Sequence, residues 1–96
     1  MTELRLVSPA STSLKPVVEA ALANELRLLQ AGVQRTEERL HQFEAKFQIS
    51  TADFLRQFEN DELEETLELT EWVGEYRLLQ KLREKVDILE GIHIAN

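Results

Sequence analysis

Cysteine is absent from this chain, which excludes disulfides, thiolate nucleophiles and cysteine-based zinc sites and fits a reducing compartment. Glycine and proline are scarce, at three and two residues. Isolated glycines cannot build a phosphate-cradling loop. So few breakers, beside abundant Leu, Glu, Ala, Gln and Arg, favour an all-α class. No apolar run approaches the roughly 20 residues of a membrane span, and residues 1–13 lack an apolar stretch of signal-peptide length, so the expected location is cytoplasmic. A membrane-surface helix is disfavoured too, because such helices carry Lys and Arg on the polar face.

Basic residues are missing from one long stretch. Residues 59–75 hold eight acidic side chains and no Lys or Arg, whereas residues 1–58 hold seven of each sign. The net charge of −7 is therefore concentrated in one region, and that region also carries Trp72, while Tyr76 follows directly. Such a field repels phosphate backbones, so direct nucleic-acid binding is disfavoured and a basic protein is the fitting partner. Acids also favour helix N-termini and solvated faces. A plain solvated face and an anionic docking surface both remain open for this stretch.

Ninety-six residues make one small domain that buries only about 60–65% of its unfolded surface. The expected organisation is a loosely ordered arm over residues 1–13 and a single helical domain over 14–96. Leu4, Leu6 and Val7 suit a short extended piece before Ser8-Pro9. Pro16 suits a first helical turn. From there Leu22, Leu26, Leu29, Val33, Thr36, Leu40, Phe43 and Phe47 recur in steps of four and three, a heptad seam that predicts a helix over 14–47, with Gly32 too isolated to end it. Ser50 is the expected N-cap of a short second helix, 51–59, with Asp53 at the capping-box position and Phe54, Leu55 and Phe58 offered to a core. Asn60-Asp61 reads as a turn. The third helix, 66–90, carries the stripe Leu69, Trp72, Tyr76, Leu79, Leu82, Val86 and Leu89 and stops at Gly91. Lys81, Arg83 and Lys85 lie toward its end, as the helix dipole prefers. The tail from Ile92 reads as extended or frayed.

The expected fold is a long antiparallel helical hairpin with a short helix at the bend. The first helix would be about 50 Å long and the third roughly 37 Å, leaving about 10 Å of apolar face bare around Val17, Val18, Ala21 and Leu22. Val18, Leu22, Leu26 and Leu29 are the expected seam for a homo-oligomer or a partner.

Neither metal binding nor catalysis has a constellation to rest on. Glu38–His41 and Glu90–His93 match the Glu-x-x-His spacing of helical di-iron sites. However, Glu38 faces away from the seam, and Gly91 interrupts the second pair. Two scattered histidines build no nucleophile–base array. No catalytic residue, metal or cofactor is expected. Trp72 and Tyr76 share a helix face with Leu69 and Leu79, which favours core packing, although a ring edge at the surface would also serve an interface.

From Phe43 onward the chain resembles a recurring pattern of small prokaryotic proteins. An aromatic and Lys precede a Ser-capped turn (Phe43, Lys46, Phe47, Ser50), followed by Asp53, Phe54-Leu55 and Phe58. A Glu62-Leu63 turn then leads to Glu71-Trp72 and Tyr76. The pattern is similar to antitoxin-like partners encoded beside small ribonuclease-like toxins in type II toxin–antitoxin pairs, with Asp61 where such proteins commonly have Gly. The resemblance spans about half the chain and implies a cognate basic partner encoded by the adjacent gene. On this reading Glu62, Glu71, Trp72, Glu75 and Tyr76 form the partner-binding surface. The competing expectation is a homodimeric helical scaffold or adaptor.

Overall fold

The computed structural model describes residues 2–5 and 14–95. Three helices follow one another, α1 (Lys15–Phe47), α2 (Thr51–Glu59) and α3 (Leu67–Glu90). α3 returns along α1, and α2 sits at the bend, so the molecule is an all-α hairpin measuring 62 × 21 × 19 Å.

Local chemistry accounts for each boundary. Pro16 occupies the first turn of α1, and the Val18 N–H donates to the Leu14 carbonyl at 2.9 Å. Gln48 closes α1 in the left-handed region at φ 54°. The Ser50 hydroxyl accepts from the Asp53 N–H at 3.1 Å, satisfying one of the orphan donors that open α2. The Asp53 carboxylate turns to Arg56 at 3.0 Å. At the far end of α2, Asp61 takes φ 55°. The Asp61 N–H donates to the Phe58 carbonyl and the Glu62 N–H to the Gln57 carbonyl, the double bond pattern of a Schellman ending. The left-handed position that suits Gly is thus retained here by Asp. Thr66 caps α3 by accepting from the Leu69 N–H at 3.1 Å.

The heptad seam faces inward along the bend half of the rod. Leu40 and Phe43 join Phe54, Leu69, Trp72, Val73 and Leu79 in the core, with Val33, Ile49, Leu55, Phe58, Leu63 and Tyr76 packed around them. Thr36, the polar break in the seam, is buried and donates its hydroxyl to the Gly32 carbonyl at 2.8 Å, so no polar atom is stranded. Val73, outside the expected stripe, is buried as well and belongs to the core cluster. Where only two helices meet, beyond Gly32, a core cannot close, and Leu22, Leu26, Leu82, Val86 and Leu89 are half-buried.

Gly32 has a packing reason. A Cβ there would stand 3.3 Å from Leu82 Cδ1, so the missing side chain lets α3 approach. Gly74 has none, since it is exposed in mid-helix with open space around the Cβ position. Gly74→Ala is therefore expected to raise stability by about 0.5–1 kcal/mol in urea denaturation.

The termini differ from the sequence reading. Thr2–Arg5, within the expected loose arm, forms β1 and pairs in parallel with β2 (Ile92–Ala95) in the register Thr2↔Ile92 to Arg5↔Ala95. The rest of the arm, including Leu6 and Val7, lies outside the described residues. Gly91 ends α3 at φ −86° rather than in a left-handed cap, because the chain passes straight into β2. Lys81, Arg83 and Lys85 stop short of the last turn, which contains no base.

Candidate functional site

Trp72 is the hub of the bend. Its ring stacks on Phe54 at 3.9 Å between centroids, on Phe43 at 5.4 Å and on Phe47 at 5.6 Å, tying α3 to both other helices. The indole N–H donates to the buried Thr51 hydroxyl at 3.1 Å. At 0% exposure Trp72 cannot touch a partner directly, which corrects its expected place on a binding surface. The sequence places Trp72 on the apolar stripe, but only α2, arriving from across the bend, encloses it.

The other four expected contact residues do not form one patch. Tyr76 is half-buried beside a cleft of about 230 Å³ shared with His41, Glu44, Thr51 and Arg83, and its hydroxyl accepts from Gln80 at 3.0 Å. Glu75 lies on the opposite flank with Arg35, Arg39, Leu28 and Leu78. Glu71 is on that flank too, 3.7 Å from Arg39. Glu62 is exposed in the turn after α2. Residues adjacent in sequence on a helix point about 100° apart, so α3 sends Glu75 and Tyr76 to different sides.

Part of the acidic run is neutralised across the hairpin. Lys46 pairs with Glu68 and Arg39 with Glu71, both bases coming from α1. Arg83 pairs with Glu37 at 3.0 Å. These exposed pairs contribute at most about 1 kcal/mol each, but they explain why α3 needs few bases of its own at its start. The remaining acids are concentrated more tightly than the sequence suggests. Glu59, Asp61, Glu62, Glu64 and Glu65 are all exposed, and among the described residues none of them enters an ion pair.

Beside this acidic turn lies a groove that sequence reasoning missed. It has a volume of about 510 Å³, with Phe47, Ile49, Phe54, Leu63 and Leu69 as walls and Trp72 buried behind them. Gln48, Gln57, Glu64 and Thr66 are its polar lining. The groove exists because Gln48 turns the chain sharply off α1 while residues 60–66 loop back beside it. Phe47 is left 37% exposed at the mouth. Its position as the last member of the heptad seam was the one available signal.

The expected oligomer seam is largely claimed within the protomer. Leu29 is buried, Val18 is half-buried, and half-buried Leu22 and Leu26 line a groove with Leu89 and Ile92. β2 extends the reach of α3, so the bare overhang shrinks to outward residues such as Val17, 64% exposed, and Ala21. Among the described residues, no group of three His, Asp or Glu side chains stands close enough to hold a metal ion. No described helix is long and apolar enough to cross a membrane. Comparison with protein-family models, curated proteins and solved structures finds no match to this chain.

Proposed function

We propose that this chain is a non-enzymatic binding protein of the cytoplasm that neutralises a cognate basic protein, in the manner of an antitoxin holding a ribonuclease-like toxin. The observation that carries this reading is the cluster of unpaired carboxylates in the turn between α2 and α3, set beside exposed apolar surface. A ribonuclease-like protein needs a basic surface for RNA, and an acidic turn with an apolar border is complementary to it. The resemblance over the Phe43–Tyr76 stretch points to the same class of partner. Of the expected contact residues Glu62 belongs to this turn, whereas Glu71 and Glu75 lie on one side of α3 and Tyr76 on another.

Co-purification with the product of the adjacent gene tests the proposal. A stoichiometric complex is expected at low salt, weakening as ionic strength rises because exposed charges beyond about 10 Å are screened near 0.1 M. Absence of any complex at low salt would remove the reading.

One flank favours the homodimeric scaffold as a second reading. Leu28 is 61% exposed and shares that face with Leu78, with Arg35 and Arg39 along the α1 rim and Glu75 along the α3 rim. A two-fold axis parallel to the helices would set each basic rim against the partner copy's acidic rim. Mass measurement in solution for the wild type and for Leu28→Glu with Leu78→Glu separates the readings. A dimer that dissociates in the double variant while partner binding persists assigns the two surfaces independent roles.

A further inference from the structure

The groove at the bend has the shape and surroundings of a socket. We infer that it receives one bulky apolar side chain, Phe or Leu, presented by a Lys/Arg-rich segment of the partner; this inference rests on the binding-protein reading above. Its walls are apolar, formed by Phe47, Ile49, Phe54, Leu63 and Leu69, and polar groups take a smaller share of the lining. A domain this small has little apolar surface to spare, yet Phe47 and Leu63 are left uncovered on one side. Leu63 and Glu64 line the groove, and the same loop carries Asp61, Glu62 and Glu65. An apolar side chain seated in the groove therefore brings its chain neighbours over four unpaired carboxylates. Cationic neighbours gain from that field, and acidic ones are repelled. A second copy of this chain is a poor occupant, because it would bring a net charge of −7 and the same acidic turn toward its twin. Nucleic acid is excluded on the same ground.

The test uses the full chain and two synthetic peptides, Lys-Arg-Lys-Phe-Leu-Lys-Arg-Lys and a twin with Ser-Gly in place of Phe-Leu. Binding is followed by amide chemical shifts and by the emission of Trp72, the only tryptophan, which is buried behind the walls of the groove. The Phe-Leu peptide is expected to bind roughly ten- to a hundredfold more tightly than its twin, the gain from burying one large apolar side chain. It should shift the amides of Phe47, Ile49, Leu63 and Leu69 and change Trp72 emission. Leu63→Ser should erase the advantage of the Phe-Leu peptide over its twin. The triple variant Glu62→Lys, Glu64→Lys, Glu65→Lys, altered only at exposed positions, should weaken both peptides by more than about tenfold at low salt.

Equal affinity for the two peptides, or shifts confined to the acidic turn, would overturn the socket and leave the basic-partner proposal standing. Binding of neither peptide at low salt would overturn both. The comparison of the two peptides on the wild type stands even if Leu63→Ser fails to fold.

Discussion

Trp72→Ala is expected to lower the stability of this protein by about 3–5 kcal/mol, the cost of emptying a large buried aromatic site. A domain of this length has only about 5–14 kcal/mol in total, so the variant would be close to unfolding under ordinary conditions. The size of the effect follows from connectivity as much as from volume. Trp72 stacks on Phe43 and Phe47 of α1 and on Phe54 of α2 while belonging to α3, so its loss loosens the contacts of α3 with both other helices at once. Trp72→Phe separates ring from hydrogen bond. The smaller ring keeps part of the stack but removes the donor to the buried Thr51 hydroxyl, adding a cost of about 1–3 kcal/mol for an unsatisfied group. Thr51→Val in the Trp72→Phe background should recover part of that loss. Urea denaturation of wild type, Trp72→Phe, Thr51→Val and the double variant measures the cycle. A Trp72→Ala variant within 1 kcal/mol of wild type would contradict this account of the core.

The two halves of the rod should also open independently. Amides in residues 20–28 and 82–88 are expected to exchange at least about a hundredfold faster than those in residues 38–45 and 70–79, a gap of nearly 3 kcal/mol in opening free energy. The buried hydrophobic cluster lies wholly in the bend half. Toward the termini the two helices share a single half-buried seam, closed by the short parallel pair β1–β2. A two-stranded pair is marginal by itself. Two helices meeting along one line leave their outward apolar residues, Val17, Leu28 and Ile88, in contact with water. Hydrogen exchange read by mass spectrometry on peptic fragments checks this expectation. Uniform protection along the rod would mean that another surface covers the terminal half, and protection that rises with protein concentration would identify that surface as a second copy.

Much of the hairpin was legible in the residues because its information is local or periodic. The four-and-three steps from Leu29 to Phe43 define a stripe whichever element covers it, and the covered stripe includes Leu29, Thr36, Leu40 and Phe43. Ser50 was readable as a cap because the bond it makes, to the Asp53 N–H, spans three residues. Asn60-Asp61 was readable as a turn from its residue types, and Asp61 takes the left-handed φ of 55° there. The candidate site was less legible. The apolar stripe placed Trp72 in the core, which its burial bears out, whereas its acidic neighbours also put it on the expected binding surface, which the burial excludes.

The sequence by itself determined the helices, their lengths, the hairpin, and the concentration of charge after Phe58. Propensity, capping and periodicity act over a few residues and are written in their order. Only the tertiary structure decided which acids are free. Glu68 and Glu71 find Lys46 and Arg39 on another helix, more than twenty residues away, leaving the unpaired cluster at 59–65. It likewise decided that β2 covers much of the expected overhang and that the loop after α2 stands beside Phe47 to form a groove. Those outcomes depend on distances between segments remote in the chain, which are set by how three helices of unequal length pack.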